Sequence, residues 1–266
     1  VLMMFFDPFT KAFMTRFGGP EFAGYFEIAN QIVIKIRSII ISTNQAVVPR
    51  ITEIIEKEKK NIILFYKNNI KIILLVSIPL FLMAEIWSEL IIEILLGYVN
   101  SDVLYIFNLT LFAWFINIFN SPAYFSNLGS GKVIFNTISH SITAILNVAI
   151  VYLFGNKFGV DAVIFAYILS LMAGSIFLII SYHNFYKIYF KIKSILKYKF
   201  FIIINFMVLL LSNYRASDFL DHIEGSYFYY KFLIPFILSI IIISTFIITL
   251  KKNLKNIYSI NKTISS

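Results

Sequence analysis

The sequence predicts an all-α polytopic membrane protein with about eight transmembrane helices. Three observations predict it. Hydrophobic residues make up 59% of the 266-residue chain, against roughly 45–50% in soluble domains. Apolar runs near the ~20 residues that cross a bilayer take up most of the length. Between them, loops rich in Lys and Arg alternate with loops poor in both, without a break in register. The chain holds no cysteine, which excludes disulfides and thiolate metal sites. His140, His183 and His222 are too scattered for a multi-histidine metal centre, so no metal and no cofactor is expected. The net charge of +9 follows the loops and gives no support to nucleic-acid binding. Val1 lies inside an apolar segment with no signal peptide before it, which reads as a fragment whose partner half lies elsewhere.

The hydrophobic segments run over residues 1–14, 23–48, 70–95, 103–125, 133–154, 160–182, 200–213 and 232–250. Breaks fall at Gly18-Gly19-Pro20, the charged run 53–60, and residues 97–102, 128–131, 155–159, 187–199 and 214–230. One set of alternate loops carries Arg50 to Lys71, Lys132, the five lysines of 187–199, and Lys251, Lys252, Lys255 and Lys262. The other set holds only Lys11 and Arg16, then Lys157, then Arg215 and Lys231. The positive-inside rule places the first set in the cytoplasm, so span one runs outward and the C-terminus ends inside.

The second segment carries charges that a lipid-facing helix excludes. Glu27, Lys35 and Arg37 lie well within it, and each costs about 3 kcal/mol at a bilayer centre. At 100° per residue, Glu27, Gln31, Ser38, Ser42 and Gln45 share one side. Asn30, Arg37 and Asn44 adjoin them, and Lys35 sits at the far margin of that polar half. Ile28, Ile32, Val33, Ile36, Ile39, Ile40 and Val47 fill the opposite half. One face suits hydrocarbon or packing and the other water or a polar cargo, as in a helix lining a transport pathway.

Several motifs then converge on one family. Asp7-Pro8-x-Thr10-Lys11, Phe17-Gly18-Gly19, Gly24-Tyr25-Phe26-Glu27-Ile28-Ala29-Asn30, Arg37, Ser42-x-Asn44-Gln45 and Val48-Pro49 resemble the polysaccharide-unit (O-antigen type) flippases. These belong to the multidrug/oligosaccharidyl-lipid/polysaccharide exporter superfamily. Leu128-Gly129-Ser130-Gly131-Lys132 and Gly159-Val160-Asp161-Ala162 fit the same superfamily more loosely. The resemblance implies twelve to fourteen helices in two pseudo-symmetric lobes about a central cavity. Residues 1–184 would be the six-helix C-terminal lobe, and 185–266 two additional helices with a cytoplasmic tail. The N-terminal lobe would then be the missing partner.

The implied cargo is an oligosaccharide on a polyprenyl pyrophosphate, flipped across the bacterial inner membrane for surface polysaccharide assembly. Arg37, Lys35 and Lys11 would meet the pyrophosphate. Asn30, Gln31, Asn44, Gln45 and Ser38 would meet sugar hydroxyls, and Glu27 and Asp7 would partner the cations or carry a coupling ion. Membrane lipids and polysaccharide assembly proteins are the other expected partners. No catalytic residue is expected, because no nucleophile stands beside a base. Three other readings remain open: a multidrug antiporter of the same superfamily, a membrane glycosyltransferase or polymerase using the acidic loop 214–230, and a non-functional gene remnant. Glu85, Glu89 and Glu93 share a face that reads as a solvated helix end beside Trp87. Asn136, His140, Thr143 and Asn147 form a stripe suited to interhelical hydrogen bonds. Pro79 and Pro122 are expected to kink their spans.

Overall fold

The computed structural model describes residues 6–45, 48–49, 51–53, 59–188 and 232–265, and among them all regular structure is helical. The helices are α1 Phe6–Gly18, α2 Pro20–Gln45, α3 Lys59–Ile86, α4 Ser88–Leu96, α5 Ser101–Ile118, α6 Ser121–Gly129, α7 Val133–Tyr186 and α8 Ile234–Ser265. Spans around 62–86, 101–118, 133–186 and 234–251 are long and apolar enough to cross a membrane. The expected all-α polytopic membrane fold is therefore the observed one. Helix α2 is also long, at 26 residues, but its polar flank keeps it out of that group. The segment expected at 200–213 and the loop 214–230 lie outside the described residues.

Boundaries differ from the sequence expectation where charge or glycine suggests a stop that the helix ignores. Lysines 59, 60, 67 and 71 do not end the third segment, which is helical from Lys59. Lys is a good helix former, and a helix can continue past the membrane surface. Near its far end α3 pauses at Trp87 and resumes as α4. Backbone bonds Trp87 N–H to Met83 O (3.0 Å) and Ile91 N–H to Trp87 O (2.9 Å) carry the chain through. Glu85, Glu89 and Glu93 therefore keep a common side, each half-buried.

The fourth segment, a single span over 103–125 by its hydrophobicity, is two helices. Pro122 has no N–H for the carbonyl of Ile118, and its ring crowds that carbonyl. Helix α5 accordingly stops at Ile118 and α6 starts at Ser121 with Pro122 in its first turn.

The sequence puts a loop at 155–159 between the fifth and sixth spans. Helical geometry instead continues to Phe158, and the break is confined to Gly159, with φ 58° and ψ −133°. A side chain is disfavoured there, so glycine is the residue that lets the chain reverse. The two arms of α7 fold back on each other. Gly174 on the second arm meets the first so closely that a Cβ would lie 2.1 Å from Thr143 Oγ1. Ser139 Oγ donates to the Gly174 carbonyl at 2.8 Å, and the small residue is what permits that approach.

The main core gathers Phe6 and Met14 of α1, Phe26 and Val33 of α2, Phe107 and Trp114 of α5, and Tyr167 and Leu171 of α7. Helix α8 lies against α3: Leu238 and Ile242 pack on Ile86, and Trp87 Nε1 donates to Ser239 Oγ at 2.9 Å. The perimeter is apolar. Ile134, Ile138, Ile145 and Tyr152 on the first arm of α7, and Phe165, Leu169, Ile176 and Ile180 on the second, are exposed. Their spacing draws one stripe along each arm, as a lipid-facing surface requires.

Candidate functional site

Helix α2 departs from that perimeter. Its exposed arc carries Gly24, Gln31, Lys35, Ser38, Ile39, Ser42 and Gln45. Apart from Gly24 and Ile39 these are polar or charged side chains. The arc spans about a third of the helix circumference at 100° per residue. Packing against α1, α5 and α3 uses the other side, where Phe26, Ala29, Val33 and Ile40 are buried. Lys35 therefore stands within the exposed polar arc. The side chain of Asn44 lies outside the described residues.

Arg37 and Asn30 occupy the opposite margin of the polar half and turn into the seam with α5. Asn30 is 2% exposed, so it is part of the wall and not of the exposed arc where the sequence placed it. Its Oδ1 accepts from Trp114 Nε1 at 3.1 Å and from the Tyr167 hydroxyl at 2.9 Å. One asparagine thereby links α2, α5 and α7. Tyr167 stacks on Phe6 with ring centroids 4.8 Å apart and meets Phe26 edge-on at 5.1 Å. Arg37 lies over the Trp114 ring, 4.4 Å from its centroid, and donates to Asn117 Oδ1 at 3.4 Å. Its Nε is buried and without a hydrogen-bond partner among the described residues.

Helix α1 brings Asp7, Thr10 and Lys11 to the same lobe. Lys11 forms an ion pair with Glu27 across the α1–α2 junction, and Gln31 Nε2 donates to the other Glu27 oxygen at 3.0 Å. Both ionic side chains are about two-fifths exposed, 37% and 38%, so screening holds the pair to a small contribution, below about 1 kcal/mol. Asp7 is half-buried, and its Oδ1 lacks a partner among the described residues. Thr10 is fully buried and accepts from Asn147 Nδ2 at 2.8 Å.

The candidate cations are thus dispersed. Lys35 and Arg37 are two residues apart on a helix, about 200° around its axis. Glu27 and its partner Lys11 lie ten residues from Arg37, about 15 Å along α2. In the polar stripe of the first α7 arm, Asn136 and Asn147 are spent on interhelical bonds, and Thr143 bonds back to Ser139 O within the arm. Asn136 Oδ1 accepts from Asn127 at 3.0 Å, Asn136 Nδ2 donates to the Tyr124 carbonyl at 3.0 Å, and Asn147 pairs with Thr10. His140 instead sets its ring edge-on to Tyr124, with centroids 5.6 Å apart.

Sequence reasoning missed Trp114, Asn117, Asn120, Tyr167 and Ser175. Asn117 and Asn120 each donate to Ser175 Oγ, at 2.9 and 3.0 Å. The available signal was a tryptophan with Asn117 and Asn120 close to a proline in a mainly apolar span.

The fold and this helix flank define an all-α polytopic membrane protein with a polar exposed face on α2. The comparisons agree with that class. Residues 1–104 match the family described as "Polysaccharide biosynthesis protein". Among solved structures the chain is similar to "Lipid II flippase MurJ, inward closed conformation", with a TM-score of 0.67 and 18% identity. That match covers 95% of this chain and 53% of the other, so this chain spans about half the length of the structure it resembles. No match was found among curated proteins. The family match agrees with the polysaccharide side of the resemblance carried by residues 1–50, and the similar structure agrees with the all-α fold which that resemblance implies.

Proposed function

We propose that this chain is the C-terminal lobe, with two further helices at 185–266, of a transporter that flips polyprenyl-pyrophosphate-linked oligosaccharides. The membrane would be the bacterial inner membrane and the product a surface polysaccharide such as O-antigen or capsule. The observation that carries the reading is the exposed polar arc of α2 amid an apolar perimeter. Charged and amide side chains at membrane depth need water or a polar cargo beside them. A lipid-linked saccharide presents that need in reverse, because its tail favours hydrocarbon while its sugars and diphosphate do not. A polar groove open to lipid lets the head cross while the tail stays in the bilayer. The partner lobe would supply the facing wall, and rocking of the two lobes would expose the groove to each side in turn. No covalent step is required.

Within this reading Arg37 engages the pyrophosphate, and Lys35 attracts it from the exposed arc. Gln31, Ser38, Gln45 and Asn44 offer hydrogen bonds to sugar hydroxyls. Asn30 holds the wall that carries Arg37. Lys11 and Glu27, joined across α1 and α2, change partners during the cycle, and Glu27 and Asp7 couple it to an ion gradient. Glu27→Gln is expected to abolish gradient-dependent transport while leaving cargo binding intact. Transport that still follows the gradient in this variant would assign Glu27 to structure alone.

The absence of cysteine makes the central claim directly measurable. Single substitutions Gln31→Cys, Ser38→Cys and Ser42→Cys should react with a membrane-impermeant maleimide, because the reactive thiolate forms in water. Ile145→Cys and Leu169→Cys, on the apolar perimeter, should stay unlabelled. Equal protection of both sets would remove the groove and the transport function with it.

A further inference from the structure

We propose that Tyr66 and His183 form a proton-sensitive latch between α3 and the end of α7, closed while the imidazole is neutral and released when it is protonated. The proposal does not depend on the cargo reading. Helix α3 packs against α8, α5, α2 and α6, and it meets α7 through ring contacts at its lysine-rich end. The Tyr66 hydroxyl lies 2.9 Å from His183 Nε2, and the two rings stand edge-on with centroids 5.6 Å apart. Tyr66 also lies against Tyr182 at 4.5 Å, and Tyr182 against Tyr186 at 4.6 Å. Ala123 of α6 and Leu178 of α7 complete the cluster. Tyr66 is 1% exposed, so bulk water does not replace the bond to the imidazole.

A phenol hydroxyl gives its hydrogen to an imidazole only when Nε2 keeps its lone pair. The neutral ring with its proton on Nδ1 meets that condition. A second proton turns Nε2 into a donor, and the Tyr66 hydrogen then needs another acceptor inside a cluster of rings. A buried donor left without one costs more than the bond contributed. The new charge also arrives among cations. Lys67 follows Tyr66 in the chain, Lys187 caps α7, and Lys132 lies over the Phe185 ring, 3.5 Å from its centroid. The other titratable groups on the elements packed here are Lys71 of α3, Tyr124 of α6, and Tyr182, Tyr186 and His140 of α7. Glu53, beside Thr52 on the Gly129 carbonyl, is the carboxylate described at this end. Histidine is the side chain whose charge changes near neutral pH. Under the positive-inside assignment this end faces the cytoplasm, so the latch reads cytoplasmic acidification.

Ala123 makes the latch observable, because it is fully buried in this cluster and the chain has no cysteine. Ala123→Cys, in the full chain in nanodiscs, is treated with a water-soluble maleimide. Ser38→Cys, exposed on α2, corrects for the pH dependence of the thiol itself. Between about pH 7.5 and about pH 5.5, either side of the ordinary histidine value, the corrected labelling rate should rise about fivefold, the change that loss of one hydrogen bond gives. His183→Gln keeps an acceptor and takes no proton, so its rate should stay at the neutral-pH level throughout. Tyr66→Phe keeps the ring and removes the hydroxyl, so its rate should be raised and flat. His140→Gln should respond as the parent does. A flat parent, or a rise that survives in His183→Gln, overturns the latch. A rise lost in His183→Gln but kept in Tyr66→Phe also overturns it, since the imidazole then acts without the phenol. Tyr66→Phe preserves the packing and decides the question alone where His183→Gln does not accumulate. The melting temperature of the cysteine-free chain is a second readout: it should fall over the same interval, and a fall of equal size in Tyr66→Phe overturns the proposal.

Discussion

Arg37→Ala is expected to block surface-glycan export while the protein's abundance in membranes stays unchanged. The two halves of that result have separate causes. Truncation removes a charge that has no carboxylate partner among the described residues, so no buried counter-ion is orphaned. Inside the protein, the side chain gives up a cation–π stack on Trp114 and a long hydrogen bond to Asn117. The stack contributes about 0.5–2 kcal/mol, and removal of an intramembrane charge offsets part of that. The cargo, in contrast, loses the fork that meets its diphosphate. Loss of one member of a buried charge pair costs about 2–5 kcal/mol, which corresponds to roughly 30-fold or more in affinity. Arg37→Lys should fall between, because ammonium keeps the charge and loses the planar fork. Surface glycan quantified against membrane-fraction immunoblots reads both quantities. Export at the normal level in Arg37→Ala would take Arg37 out of the cargo path.

Gly174→Val is expected to unfold the α7 hairpin. Its first added carbon would stand 2.1 Å from Thr143 Oγ1 and 2.9 Å from the Ser139 carbonyl oxygen. Neither position is free to retreat: Ser139 also donates to the Gly174 carbonyl, and Thr143 is buried, bonded back to Ser139. Overpacking of a tight core costs about 1–3 kcal/mol, and separation of the arms would add the Ser139 bond to that. The expected readouts are a lowered melting temperature in detergent and reduced abundance. Gly174→Ala should show a smaller loss that Thr143→Ala partly repairs, since the second change removes the oxygen at 2.1 Å. Coupling between contacting sites has that signature. An unchanged melting temperature for Gly174→Val would mean that the arms do not meet at this point.

Much of this is readable from residue types and period. Glu27, Gln31, Ser38, Ser42 and Gln45 fall on one side of α2 by sequence, and Gln31, Ser38, Ser42 and Gln45 lie in the exposed arc, with Glu27 half-exposed at its edge. Periodicity suffices because a helix rotates each residue by a constant angle. Other features are not readable. Lysines 59–71 look like a loop because charge marks a membrane boundary, yet helical hydrogen bonds continue through it. Residues 155–159 look like a turn because Gly155 and Gly159 bracket them, whereas only Gly159 leaves helical geometry. Asn30 looks like a cavity residue because it is polar and adjoins Glu27. Trp114 and Tyr167, more than eighty positions away, claim its oxygen.

Membrane residence, helical class and the two-sided character of α2 follow from composition and rotation per residue, which are properties of short stretches of chain. The assignment of each polar group, whether to cargo, to water or to another helix, does not follow from them. That outcome depends on which helices lie side by side, and distant residues decide it: Trp114 takes up Asn30 and braces Arg37, and Gly174 admits Ser139 and Thr143. A buried hydrogen bond needs its partner within about 3 Å, and sequence spacing carries no such distance once the partners sit on different helices.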